Sequence, residues 1–194
     1  MVTENQEVKL DIQTIALDGL VFITHKDNSV DSLSIDQIRD IYSGKIKNWK
    51  EVGGKDEKIR PFGRTKDSYT REAMEDFVME DVPMADTVIT FASKGKGSQE
   101  EKVAEYENET ASIGYTFRYY INNLYNYPDI KIISVDDIVP DEESIAGGKY
   151  PFVVSYSVAI RDDETEDSTY RKLYDYMLMD EGKKIICLAG LCPS

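Results

Sequence analysis

Residues 59–72 read IRPFGRTKDSYTRE, which joins a strand-like run to a helix-like run through a short polar loop. Residues 59–62 are predicted to form a short strand, which ends at Gly63 and the polar residues after it. Apolar residues then recur at helical spacing, at Ala73, Met74, Phe77 and Val78. This spacing predicts an amphipathic helix over residues 68–79. A strand that leads directly into a helix is the repeating unit of α/β proteins.

The same alternation of strand-like and helix-like runs extends in both directions along the chain. Ser34 and Gln37 have the spacing of a capping box, and they open a run that predicts a helix over residues 34–42. Further strands are predicted at residues 8–12, 15–24, 87–92, 111–117, 130–135 and 152–160. Further helices are predicted after Ser98 and at residues 119–127, 142–146, 168–179 and 181–189. The pattern predicts an α/β fold with a mostly parallel sheet flanked by helices.

The two strands at residues 15–24 and 152–160 bracket a complete block of alternating elements. They are therefore interpreted as crossover strands between two lobes. This gives residues 1–27 as an N-terminal segment with the first crossover strand, and residues 28–150 as a complete α/β lobe. Residues 151–194 are then the return strand and the C-terminal helices of a second, incomplete lobe.

Size and charge exclude several classes of protein. The chain has 194 residues, which suits one large domain or two small lobes, and its formal net charge of −14 disfavours nucleic acid and anionic lipid as partners. Its first residues are polar and acidic, so this chain shows no signal peptide, and its apolar runs are too short to span a bilayer. The two cysteines, Cys187 and Cys192, could be packed thiols or a disulfide.

The loop in residues 64–70 has the groups needed to bind a tetrahedral anion without a metal. Arg64 can give a planar pair of donors, and Ser68 and Thr70 can add hydroxyl groups. The backbone amides of Ser68, Tyr69 and Thr70 would be unpaired at the start of the predicted helix. The alternative from the residues alone is that Ser68 is an ordinary N-cap and Arg64 part of a surface ion pair.

Other candidate sites have weaker patterns, and no cofactor is predicted. The glycine-containing stretch from Lys94 to Ser98 lacks the spacing of a P-loop, and His25 has no companion ligands for a metal. No nucleophile, general base and orienting group occur together in a recognisable arrangement, so an enzyme is not predicted. Five tyrosines between residues 115 and 127 suit core and rim packing better than sugar stacking.

Several blocks of the chain, in order, resemble the phosphate-binding protein of bacterial phosphate ABC importers. They include Asp18 to Thr24, the stretch LSIDQIRDIYSGKIKNWKEVGG at residues 33–54, and ASIGY at residues 111–115. GKYPF at residues 148–152 and the helices from Leu178 to Gly190 complete the resemblance, which runs from about Ile12 onward. It implies a type II periplasmic-binding-protein-like fold, with a complete second lobe and only the returning part of the first.

The resemblance also implies a ligand site. The family's loop reads Arg-x-x-Gly-Ser-Gly-Thr, so Arg64, Ser68, Tyr69 and Thr70 occupy the ligand-binding positions, although Asp67 and Tyr69 replace the two glycines. The family's other ligand contacts come from an upstream segment that this chain does not match. Phosphate is therefore expected to bind this chain weakly or not measurably.

The resemblance implies two partners, an importer permease and the missing N-terminal lobe segment. It also implies an extracytoplasmic location, at a cell surface or in a periplasm. Anchoring to the membrane is expected in the full-length protein, and self-association is expected of an incomplete lobe. Two alternatives stay open at this point. One is an interaction or phosphate-sensing domain whose anion site has degenerated. The other is a binder of sulfate, molybdate or a small organic acid.

Overall fold

The structure is a computed structural model that describes residues 8–91, 110–124 and 127–194. The chain separates into two compact units. The larger unit is Gly19–Val154, and the smaller unit joins Met1–Asp18 to Ser155–Ser194. Strand β1 contributes to both units, since its second half pairs with β5 and β6 in the sheet of the larger unit.

The strands alternate with helical segments along the chain, as the sequence predicts. In chain order they are β1 Leu10–His25, β2 Ser32–Leu33, β3 Arg60–Arg64, β4 Ile89–Phe91, β5 Ser112–Phe117, β6 Ile130–Val135, β7 Val153–Arg161 and β8 Cys192–Pro193. The α-helices are α1 Ile35–Tyr42, α2 Tyr69–Met74, α3 Glu142–Ala146, α4 Thr169–Leu178 and α5 Asp180–Leu188. The two runs predicted at residues 8–12 and 15–24 form the single strand β1. The predicted helix at 119–127 is described only as a π-helical turn, Tyr120–Leu124.

The sheet of the larger unit has the strand order β2-β6-β1-β5-β3-β4. Strands β2 and β6 pair in parallel, as do β3 with β4 and β3 with β5, whereas β1 runs antiparallel to both of its neighbours β5 and β6. Five of these strands therefore point the same way, and β1 alone points the other way. This confirms the prediction of a mostly parallel sheet. Because parallel strands end at one edge, the last residues of β3 and β5 lie at the same edge of the sheet.

Helix α1 and an aromatic cluster hold one face of this sheet. The capping box is formed, with the Ser34 hydroxyl accepting from the Gln37 amide N–H at 3.1 Å. On the buried face of α1, the Tyr42 ring lies edge-on to Tyr115 at 5.5 Å, and its hydroxyl donates to the Phe62 carbonyl at 3.0 Å. Burial raises the pKa of the Tyr42 hydroxyl well above its usual value, so it stays protonated and serves as a donor.

The smaller unit is built from the first half of β1, part of β7, β8 and the helices α4 and α5. Strand β8 pairs with β1, and Asp11 on β1 forms an ion pair with Arg171 on α4 at 3.7 Å. Cys187 is exposed and Cys192 is buried, and no disulfide joins these two residues in the structure. No helix in the described ranges is long and apolar enough to cross a membrane.

Large apolar side chains of the smaller unit stand in solvent. Tyr170 is 74% and Leu188 86% exposed, and Leu173, Met179 and Ile185 are each more than half exposed. A monomeric protein seldom leaves an apolar patch of this extent uncovered. All five of these exposed side chains lie on α4, on α5 or at the residue between the two helices.

Candidate functional site

The loop predicted to bind an anion begins where β3 ends. Arg64 is the last residue of β3, and Ser68 is the N-cap of α2. The Ser68 amide donates to the Thr65 carbonyl at 3.0 Å, which closes the loop into a tight turn. Helix α2 then continues without a break into a π-helical turn, Glu75–Met79. Strand, turn and helix follow one another as the sequence predicts.

Arg64 is held in place through its backbone. Its amide N–H donates to the Tyr115 hydroxyl at 3.1 Å, and Tyr115 lies on the neighbouring strand β5. A Cβ atom at Gly63 would lie 2.9 Å from Val88 Cγ1 and 3.3 Å from the Tyr115 hydroxyl, so glycine is needed for this close approach. Burial raises the pKa of Tyr115, which keeps the phenol protonated at neutral pH.

The predicted donor side chains are buried instead of standing on an exposed turn. Arg64 is 7%, Ser68 7% and Thr70 6% exposed, whereas Tyr69 is 54% exposed. Arg64 is therefore a buried residue and not a surface arginine. Helix α2, which begins at Tyr69, packs against β5 and β3.

The start of α2 lacks some of the hydrogen bonds that usually cap a helix. Ser68 occupies the N-cap position, but its side chain makes no capping hydrogen bond. The alternative of an ordinary N-cap is therefore correct about the position and wrong about the hydrogen bond. The first backbone hydrogen bonds of the helix run from the amides of Arg71 and Glu72 to the Ser68 carbonyl. The amides of Tyr69 and Thr70 precede these bonds, and among the described residues they have no backbone acceptor.

Asp67 and Tyr69, which replace the two glycines of the resembled loop, bring a charge and an aromatic ring. Hydrogen bonds from the Thr65 hydroxyl and from its own backbone N–H hold the pKa of the Asp67 carboxyl below its usual range, so Asp67 carries a negative charge at neutral pH. Tyr69 points its ring at Phe117, the last residue of β5, with 5.6 Å between ring centroids. A charge and an aromatic ring thus lie beside the donors.

A groove of about 660 Å³ opens beside Arg64. Arg71 from α2, Glu75 from the π-helical turn after it, and residues of the segment from Pro83 to Val88 line this groove. The Arg71 Nε donates to the Glu75 carboxylate at 2.7 Å, so this second arginine is paired. Neither Arg71 nor Tyr115 is predicted from the sequence to belong to the candidate site. The spacing of Arg71 and Glu75 by four residues could have predicted the ion pair, but a strand tyrosine gives no comparable signal.

The remaining candidates contribute little to this region. In the described ranges no group of three or more histidine, cysteine or acidic side chains could hold a metal ion. The stretch from Lys94 to Ser98, the helix predicted after it and Tyr125 lie outside the described residues. His25 ends β1, where its Nδ1 accepts from the Asp27 amide at 3.3 Å. Tyr115 is part of the core, and Tyr119 and Tyr120 are half-buried.

Comparison with known protein families gives a match over most of the chain. The model of the family described as PBP superfamily domain matches residues 6–181. The phosphate-binding protein PstS of Bacillus subtilis is 26% identical over 180 residues, which cover 92% of this chain and 56% of that protein. The protein of the same name from Borreliella burgdorferi is 26% identical over 173 residues, which cover 88% of this chain and 61% of that protein.

Solved structures of similar proteins agree in fold. A candidate phosphate ABC transporter substrate-binding protein of Clostridium perfringens, solved with bound phosphate, superposes with a TM-score of 0.78 at 28% identity over 95% of this chain and 72% of that one. An ABC-type phosphate transport receptor of Vibrio cholerae superposes with a TM-score of 0.76 at 25% identity, over 98% of this chain and 76% of that one. The chain spans little more than half the length of the curated relatives it matches.

Proposed function

This chain belongs to the PBP superfamily, and from that membership we propose that it is the phosphate-binding component of an ABC importer, or part of one. Arg64, Ser68, Tyr69 and Thr70 are the proposed ligand contacts. Arg64 and the two hydroxyls donate through side chains, and Tyr69 and Thr70 donate through backbone amides. The observation that carries the proposal is the buried Arg64, fixed by Tyr115 beside two buried hydroxyls and two unpaired amides.

The physical basis is local hydrogen bonding. Hydrogen bonds from a guanidinium to an oxyanion are short and about twice as strong as neutral ones, and a buried arginine is less screened by solvent. The net charge of −14 is compatible with this, because charges more than a Debye length away are largely screened at physiological salt. The names of the relatives, which are binding proteins and a transport receptor, agree with the prediction that the chain is not an enzyme.

We further propose that this chain provides one half of the site. Residues 28–150 would be the complete lobe, and residues 151–194 with 1–27 the returning part of the other lobe. The remaining ligand contacts would come from a segment that the curated relatives have and this chain does not match. With only one half present, a bound anion stays in contact with water, which weakens each hydrogen bond to it.

The proposed setting follows from the same membership. The protein would act outside the cytoplasmic membrane, at a cell surface or in a periplasm, where a membrane anchor in the full-length protein would keep it close to its permease. That permease would take the ligand from the binding protein. Support comes from the relatives, among which the Vibrio cholerae protein is named as a transport receptor.

Replacing Arg64 tests the proposal. We expect Arg64→Gln to weaken the binding of inorganic phosphate by about ten-fold, because a charge-assisted hydrogen bond contributes about 1.5–3 kcal/mol when solvent is excluded and less when it is not. The measurement is a titration of backbone amide shifts in ¹H–¹⁵N NMR spectra, which detects millimolar affinities. Arg161→Gln is the matched control, since Arg161 is exposed and pairs with Asp163 at 2.6 Å. Equal affinities for the native chain and Arg64→Gln would refute the assignment.

One observation favours the alternative of a sensing or interaction domain. The charged Asp67 lies directly before the donors, where it repels an anion. If the chain is a phosphate-binding component, this charge only lowers the affinity for phosphate. If it is a sensing or interaction domain, the charge prevents phosphate binding.

The variant Asp67→Gly separates these two functions. We expect it to bind inorganic phosphate about ten-fold more tightly at low salt, with a smaller gain at high salt because an exposed charge is screened. Asp76→Asn, an exposed acid further along the same helical segment, is the control and should leave the affinity unchanged. A gain of three or more orders of magnitude, measured by calorimetry, would favour the degenerate site. No gain at all would show that Asp67 does not face the ligand.

A further inference from the structure

Three aromatic rings form a shelf at the edge of the sheet where the proposed ligand contacts lie. We call it the aromatic shelf, and it consists of Tyr69, Phe117 and Tyr120. The Phe117 ring lies 5.6 Å from Tyr69 and 6.2 Å from Tyr120, and both pairs are tilted, at 41° and 36°. Phe117 is only 2% exposed, so it is the buried centre of the shelf, whereas more than half of Tyr69 is exposed.

The shelf adjoins the anion donors through the chain and through the sheet. Tyr69 lies between Ser68 and Thr70, whose side chains are both buried. Phe117 ends β5 and Arg64 ends β3, and these two strands are parallel neighbours. A ligand held by Arg64 and by the amides of Tyr69 and Thr70 therefore has the Tyr69 side chain next to it.

The exposed ring suits a particular kind of ligand. A bare tetrahedral anion is strongly hydrated and has no apolar surface that could cover an aromatic ring. A planar organic group joined to the anion could stack on Tyr69, and burial of both apolar surfaces would add to the affinity. Binding sites for small organic molecules commonly combine aromatic side chains with a few fixed polar groups in this way.

We propose that the anion site of this chain also takes an oxyanion carrying an apolar organic group, a phosphonate or a phosphate monoester, and that Tyr69 selects for that group. This rests on the proposed function, because it uses the same anion contacts. Tyr69 acts through its ring, and its hydroxyl is not required. The π-helical turn after α2 offers a comparison in Phe77, which is also exposed, at 40%, but lies about two turns further along.

The experiment compares three probes on the full chain: inorganic phosphate, methylphosphonate and phenylphosphonate. Affinities come from ¹H–¹⁵N NMR titrations carried to tens of millimolar ligand. For the native chain we expect phenylphosphonate to bind about ten-fold more tightly than methylphosphonate, which corresponds to about 1.4 kcal/mol. Tyr69→Ala should reduce this ratio to about one, and Tyr69→Phe should keep it. Phe77→Ala is the matched control and should also keep it. Urea unfolding of each variant checks that the fold is intact.

The outcomes separate this inference from the proposed function. If all three probes bind and depend on Arg64, but phenylphosphonate gains nothing over methylphosphonate, the anion site stands and the selective role of Tyr69 is wrong. If the gain survives Tyr69→Ala, the organic group binds elsewhere and the inference is also wrong. Loss of the gain in Tyr69→Phe would transfer the role from the ring to the hydroxyl. If none of the probes binds, the inference is wrong, whereas the proposed function is decided by phosphate binding to the completed site, in a complex of this chain with the co-expressed missing segment.

Discussion

Supplying the chain with the polypeptide that its curated relatives have in addition should tighten its affinity for inorganic phosphate by about a thousand-fold, or about 4 kcal/mol. The relatives are longer by about two fifths of their own length. Two effects combine in the expected gain. The added segment brings further donors, and it encloses the anion, so that each hydrogen bond acts in a medium of lower dielectric constant.

The experiment is co-expression of this chain with the part of the Bacillus subtilis relative that lies outside the match. A single-chain fusion of the two is the second form, for the case in which the separate pieces fail to associate. The affinity of the purified complex for phosphate is measured by calorimetry and compared with that of the chain alone. The control is the same complex carrying Arg64→Gln, which should lose most of the gain. A micromolar affinity of the chain alone, or an unchanged affinity in a complex that has formed, would contradict the proposal that half the site is missing.

The association state gives an independent check on the same proposal. The face of the smaller unit that contains Tyr170, Leu173 and Leu188 is apolar and open to solvent. The chain alone should therefore self-associate, and the complex should not, because the added segment covers this face. Sedimentation velocity at several concentrations distinguishes the two. A monodisperse monomer of the chain alone would show that the exposed face does not drive association.

Local signals in the sequence were enough to predict most of the fold. The capping box of Ser34 and Gln37 located α1 to within one residue, because it is made from side chains close in sequence. The parallel sheet followed from the alternation of strands and helices. The antiparallel direction of β1 and the merging of residues 8–12 and 15–24 into one strand were not predictable, since they depend on pairing with distant strands.

The candidate site was predictable in its residue types and not in its surroundings. Arginine, serine and threonine at the start of a helix point to an anion from local chemistry alone. Their burial depends on how the turn packs at the sheet edge, and the Tyr115 hydroxyl that binds the Arg64 amide comes from a residue 51 positions away. Similarly, the sequence shows Tyr69 only as a replacement of the family's glycine, and the contact of its ring with Phe117 depends on the fold.

Replacing Gly182 by alanine should destabilise the smaller unit by about 2 kcal/mol, against the direction that helix propensity alone predicts. Alanine favours a helix interior over glycine by about 1 kcal/mol. However, a Cβ at this position would lie 2.2 Å from the Tyr176 carbonyl oxygen and 2.8 Å from the Met177 Cα. Both are backbone atoms of α4, so no side-chain rotation can relieve the overlap, and overpacking of this kind costs about 1–3 kcal/mol or more. The steric cost therefore exceeds the gain in propensity.

Urea unfolding followed by circular dichroism measures this change. Lys184→Ala is the control on the same helix, since Lys184 is exposed and its replacement should change the free energy of unfolding by less than about 0.5 kcal/mol. A more stable Gly182→Ala variant would show that α4 and α5 do not pack as closely as described.

The same substitution links the smaller unit to the proposed function. Gly182 belongs to α5, far in sequence from the loop at residues 64–70, and it is not among the proposed ligand contacts. If the open face of α4 and α5 receives the segment that completes the site, spreading these helices apart should also weaken that association. In the co-expressed complex, Gly182→Ala should then remove most of the thousand-fold gain in phosphate affinity, while the weak binding by the chain alone stays the same. A full gain in this variant would mean that the added segment completes the site without using that face.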